Sequence, residues 1–130
     1  MYMTSFTHQI LDGLVDCFVG DIHFGNDECA LRIGGLAPYF DLVCDSVRRA
    51  KASAPVIVRH LLMPGHIECC FEPIALWIQR EMPRVPFHLM DGYLPTAAGA
   101  SSGLGQRVSR SESLRAFGFA RCLGLDLVEQ

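Results

Sequence analysis

Asp21 and His23 stand two residues apart in Gly20-Asp21-Ile22-His23-Phe24-Gly25, so in extended backbone both side chains leave the same face. An acid beside an imidazole can bind a polar ligand, hydrogen-bond a ribose or share a proton. It can equally be a structural hydrogen bond at a solvated strand end. Arg59 and His60 lie inside the apolar run Val56-Ile57-Val58-Arg59-His60-Leu61-Leu62. Charged side chains are rarely buried without a partner, so one of the two must face a polar pocket, a carboxylate or a ligand. The planar, permanently charged guanidinium of Arg59 suits a carboxylate or a phosphate. The competing reading is an ion pair to Asp21, Asp91 or another acid. Asp91 opens Asp91-Gly92-Tyr93 and is either a polar ligand contact or half of a turn-forming Asp-Gly pair.

Pro64-Gly65-His66-Ile67-Glu68-Cys69-Cys70 is dense in potential metal ligands. His66, Cys69 and Cys70 could be arranged around zinc, but adjacent cysteines are awkward in one tetrahedral site and no fourth ligand is obvious. No metal site is therefore expected, and a small metal-binding protein is the least supported reading. The six cysteines (Cys17, Cys29, Cys44, Cys69, Cys70 and Cys122) form no CxxC or CxxxC spacing. They read as reduced thiols, mostly buried as small hydrophobes. Glu68 and Glu72 suit a helix N-terminus through its dipole. No Gly-rich phosphate loop, GxSxG elbow or HExxH motif occurs.

The elements that must position these residues alternate. Phe6, Ile10, Leu11 and Leu14 have helical spacing after Ser5, a candidate N-cap. Val15 to Ile22 reads as a strand, and Asn26-Asp27 through Gly34-Gly35 as a connecting stretch. Pro38 opens a helix carrying Phe40, Val43, Cys44 and Val47. Val56 to Met63 is the clearest strand, stopped by Pro64-Gly65. Glu68 to Glu81 reads as a helix in which Pro73 is tolerable only in the first turn. Val85 to Met90 is a third strand. Residues 96–108 read as a flexible Gly/Ala/Ser-rich loop, and Ser109 with Glu112 as a capping box opening a last helix that stops at Gly124. Leu125 to Val128 could add a short terminal strand.

This order predicts parallel strands with right-handed helical crossovers. Ligands then sit at the carboxyl ends of the strands, where Asp21, His23, Arg59 and Asp91 fall. Three strands are few for a parallel sheet covered on both faces, so they look like part of a barrel or of a larger sheet. At 130 residues, net charge −3 and 50% hydrophobic residues, the chain suits one domain or part of one. A mean hydropathy of +0.25 is that of a folded chain, not a disordered tail. Apolar runs are too short for a transmembrane helix, and Met1 to Ser5 lacks the pattern of a signal peptide. A cytoplasmic location is expected. Ten Arg and one Lys are scattered, with Arg48-Arg49-Lys51 the one cluster, so neither nucleic acid nor membrane is expected as a partner.

Three stretches carry a resemblance: Ile10-Leu11-Asp12-Gly13 through Ala30, Val58-Arg59-His60-Leu61-Leu62-Met63-Pro64-Gly65-His66 through Cys70, and His88-Leu89-Met90-Asp91-Gly92-Tyr93-Leu94-Pro95. Together they resemble the C-terminal half of radical SAM proteins related to pyruvate formate-lyase activating enzymes, over about Leu11 to Leu125. That resemblance implies an α/β fold, a partial parallel βα barrel of about three βα units. Residues 1–95 would be the half barrel, 96–108 a loop, and 109–130 a helix and tail of the same domain. It implies S-adenosylmethionine and a 4Fe-4S iron–sulfur cluster as cofactors, the cluster being bound in that family by CxxxCxxC. The family's cofactor-contacting Asp-x-Lys falls on Asp21 and His23, His replacing Lys, and its fifth-strand Arg falls on Arg59. Asp91-Gly92-Tyr93 stands where the better-known activases carry a His. CxxxCxxC is absent from this chain, so on this reading the chain alone is inactive. Its expected partners are a missing N-terminal half or a second copy of itself, and a glycyl radical enzyme as substrate. An alternative is a non-catalytic α/β binding module with a nucleotide-like pocket around Asp21 and Arg59. An open half barrel would be marginally stable or self-associating.

Overall fold

The computed structural model describes residues 1–96, 99 and 103–128. The flexibility expected of 96–108 falls in part on residues 97, 98 and 100–102, which lie outside that set. The chain is a mixed α/β fold around an open, three-stranded parallel sheet, with β1 (Phe18–Asp21), β2 (Val56–Leu61) and β3 (Phe87–Met90) in the order β1-β2-β3. Phe18 pairs with Val56 and Asp21 with Arg59, while Val58 pairs with Phe87 and Arg59 with His88. The expected terminal strand is a single parallel bridge, Leu127 to Phe87, with Phe87 N–H donating to Asp126 and Val128 N–H to Phe87.

The register sorts the sheet into two unlike faces. Phe18, Val56, Val58, His60, Phe87 and Leu89 are buried and share one core with Val43, Val47 and Ala50 of α3 (Phe40–Ser53) and Ile74 and Ile78 of α4 (Glu72–Glu81). The alternate residues, Val19, Asp21, Ile57, Arg59, Leu61, His88 and Met90, are half-buried or exposed, Val19 being 51% exposed. Parallel sheets are ordinarily covered on both faces. Among the described residues, β1 has no strand on its outer side.

Several local expectations are corrected. The stretch after Asn26 is a helix, α2 (Asp27–Gly34). Asn26 caps it by accepting the Cys29 N–H at 2.8 Å, acidic residues fill its first turn, and Gly35 ends it at φ 66°. The next helix begins at Phe40, not Pro38. Its free N–H groups are met by Asp27, whose Oδ1 accepts from Tyr39 at 3.0 Å and Phe40 at 2.8 Å. In α1 (Ser5–Leu11) the cap is Thr4 rather than Ser5, and of the expected stripe only Leu11 packs against the core, while Phe6, Ile10 and Leu14 are exposed. Its buried residue is His8, with Nε2 3.0 Å from Ser46 Oγ of α3.

The helix expected from Glu68 opens instead as a π-helical turn, Ile67–Phe71, before α4. Pro73 supplies the reason. It has no N–H for the carbonyl four residues back, and its ring crowds that carbonyl. That carbonyl belongs to Cys69, and it accepts a side-chain bond from Asn26 Nδ2 at 2.6 Å. The capping box at Ser109 and Glu112 forms as expected at the start of α5 (Arg110–Cys122). Glu112 also accepts the N–H of Gly65 at 2.7 Å, fixing the turn after β2.

Candidate functional site

At the carboxyl ends of β1 and β2, Asp21 and Arg59 are register partners on the uncovered face. They form a two-pronged ion pair, Nε to Oδ1 at 2.8 Å and Nη2 to Oδ2 at 3.0 Å. The Arg59 hydrogen bond holds the Asp21 carboxyl below its ordinary range. The pairing uses part of the guanidinium's donor set, leaving N–H groups for an anionic or hydroxylated ligand. His88 continues this row on β3. Of the two polar residues in β2, Arg59 is therefore the one on the open face. His60 points into the core, where Nδ1 donates to the Ile22 carbonyl at 2.7 Å and Nε2 has no partner.

Of the other strand-end candidates, His23 stays within electrostatic reach of both Asp21 and Arg59, whereas Asp91 is tied to α5. β1 ends at Asp21, so His23 lies beyond it and its exposed ring is not placed by strand alternation. Its N–H donates to Tyr39 Oη at 2.9 Å. Asp91 is exposed and accepts a hydrogen bond from Ser113 Oγ, which ties it to α5. Glu68 and Glu72, expected to serve a helix dipole, both accept from Arg115 Nη2 of α5 at 2.8 Å.

A second constellation lies where α2 meets the turn after β2. The π-helical turn brings His66, Cys69 and Cys70 to one side, and α2 delivers Cys29 to the same point. One donor atom from each of the four lies within 4.8 Å of all the others. The His66 Nδ1 is 3.1 Å from Cys69 Sγ, 3.8 Å from Cys29 Sγ and 3.9 Å from Cys70 Sγ. The Cys29 and Cys69 sulfurs are 3.7 Å apart, and those of Cys69 and Cys70 are 4.0 Å apart. Cys29, His66 and Cys70 are buried and Cys69 is half-buried. Burial pushes the Cys69 and Cys70 thiols up.

Asn26 and Gly25 build this meeting point. Asn26 accepts from the Cys29 N–H and donates to the Cys69 carbonyl, so one side chain fixes two of the sulfur-bearing residues. Gly25 lies so close to the next turn that a Cβ there would collide with the Cys70 carbonyl. The sequence singles out His66, Cys69 and Cys70 but sets them aside for want of a fourth ligand, and it misses Cys29, which is 37 positions from His66. The one available signal was the Asn26 cap, which predicts a helix through Cys29.

The same geometry tests the chain against an iron–sulfur cubane. Three cysteines of a cubane bind three separate irons and must stand apart, whereas these three sulfurs converge on one point. Cys17 and Cys122 are exposed, and Cys44 is buried on α3. The described cysteines do not fit a catalytic cluster.

No family model matches the chain, and no solved structure matches it. An uncharacterized protein of Methanocaldococcus jannaschii is 33% identical over 129 residues, a match taking in 98% of this chain and 38% of that protein. The chain thus spans well under half the length of the curated relative it matches. Among the described residues, no helix is long and apolar enough to cross a membrane.

Proposed function

We propose that this chain forms the second half of a radical SAM-type partial βα barrel and supplies the side that binds S-adenosylmethionine. The observation that carries this reading is the open sheet face, with the Asp21–Arg59 pair at its carboxyl end and, beside it, a β1 edge that no described strand pairs with. In a barrel that face is the interior, and that edge is where earlier strands attach. Arg59 would hold the cofactor's carboxylate or ribose hydroxyls, and Asp21 would orient the guanidinium and accept from a hydroxyl or amine. An iron–sulfur cluster, the electron donor for sulfonium cleavage, has to be held by other residues, and a glycyl radical enzyme is the proposed substrate of the assembled protein. The cysteine-rich interior suits the reducing cytoplasm.

Titration of the chain with S-adenosylmethionine by calorimetry, beside Arg59→Gln, tests the binding half of this reading. Anaerobic assay of the longer Methanocaldococcus jannaschii relative for 5′-deoxyadenosine tests the catalytic half. Binding that Arg59→Gln weakens at least about tenfold, the loss of one charge-assisted hydrogen bond, together with deoxyadenosine from the relative, supports it. Binding without any deoxyadenosine selects the non-catalytic binding module instead. Absence of both overturns the reading.

A further inference from the structure

We propose that Cys29, His66, Cys69 and Cys70 are the four ligands of a structural zinc site that staples the start of α2 to the turn after β2. This proposal does not depend on the reading given to the sheet face. Zn–S bonds of about 2.3 Å and Zn–N bonds of about 2.0 Å at tetrahedral angles put ligand atoms about 3.5–3.8 Å apart. The separations here, 3.1 to 4.0 Å for five of the six edges, bracket that range. The sixth edge, Cys29 to Cys70, is within 4.8 Å. Closing onto an ion requires shifts of under an ångström, within the play of side-chain torsions.

Adjacent cysteines are no obstacle in this backbone. Cys69 and Cys70 lie three and four residues on from His66, the two spacings that return to the same face of a helical turn. The second segment is preset by Asn26 and Gly25, which hold the Cys29 helix against the Cys69–Cys70 turn by side-chain bonds and close backbone approach. Three soft thiolates and an imidazole select zinc over magnesium or calcium. Four protein ligands leave no open position, the mark of a structural rather than a catalytic centre. Three thiolates on a divalent ion carry one net negative charge, and the Arg32 guanidinium lies 3.9 Å from Cys29 Sγ to balance it. Half-buried Cys69 also lines a cleft of about 400 Å³ with Gly65, Ile67, Glu68, Glu112 and Arg115.

The test is metal analysis of the chain purified under reducing conditions without added metal, followed by removal of the metal and titration with cobalt(II). The expected result is one zinc per chain, and on cobalt loading the intense visible bands of tetrahedral, thiolate-bound cobalt. Cys29→Ser should weaken cobalt binding by more than about 100-fold, beyond the loss typical of an outer-shell partner. Cys17→Ser and Cys122→Ser should leave it unchanged. If Cys29→Ser does not fold, the wild-type cobalt titration decides alone. Reduced protein that carries no stoichiometric metal and gives no tetrahedral cobalt bands overturns the proposal. Iron with acid-labile sulfide at the same cysteines overturns it as well.

Discussion

Asn26 donates from Nδ2 to the main-chain carbonyl of Cys69 at 2.6 Å, across 43 residues of sequence. The bond replaces the one Pro73 cannot make, so a proline in one segment and an asparagine in another jointly set the π-helical turn. Asn26 also caps α2. Asn26→Ala should therefore cost a cap, about 1 kcal/mol, and leave the Cys69 carbonyl short of a donor, about 1–3 kcal/mol more. Asn26→Asp keeps the cap and loses only the donor, so urea midpoints of the two variants separate the contributions. Equal loss in both would show that the cap contributes nothing.

Gly25 tests how tightly the same loops are closed. Its Cβ position is filled by the Cys70 carbonyl, which is backbone and cannot swing away. Gly25→Ala should destabilise the fold by about 3 kcal/mol, the upper end of overpacking costs. Gly13→Ala has no such neighbour, although its φ of 73° adds strain of its own. A Gly25→Ala melting temperature equal to wild type would contradict the close approach.

His60 should make the fold acid-sensitive. Burial lowers its pKa from 6.5 to about 4, with His23 the neighbouring titratable group. Between these values the unfolded chain takes up a proton that the folded chain refuses. Stability is therefore complete above about pH 6.5 and declines as pH falls toward 4, by on the order of 3 kcal/mol in total. Urea unfolding at pH 7 and pH 4.5 measures the decline, and His60→Gln should flatten it. An unchanged slope in that variant would assign the effect elsewhere.

The Asp21–Arg59 pair should matter little for stability. Both side chains are more than a third exposed, and such pairs are worth about 0–1 kcal/mol. Asp21→Asn should shift the unfolding midpoint by no more than that, while weakening binding of S-adenosylmethionine if the sheet face is its site. A loss of several kcal/mol would instead make the pair a structural element.

The sequence is most readable where local chemistry decides. The apolar run Val56 to Met63, stopped by Pro64-Gly65, marks the central strand, and Ser109 with Glu112 marks the capping box of α5. It was least readable where distant segments decide. Cys29 reads as an ordinary thiol because its partners lie beyond α3 and β2 in the sequence. The α1 stripe misled because periodicity reports a face without saying what covers it, and Phe6 and Ile10 remain exposed. Arg59 and His60 illustrate both cases. Their run required one to face a polar group, and only the register with Asp21 shows which.

The all-parallel sheet also governs how fast the chain can fold. Phe18 meets Val56 and Val58 meets Phe87, so the ladder joins residues roughly 30 to 40 apart in sequence, and no hairpin offers a quick nucleus. Such non-local pairing places folding toward the millisecond-to-second regime rather than that of helical bundles. In stopped-flow refolding, far-ultraviolet helix signal should lead, and burial of Trp77 on α4 should follow as the strands find their register.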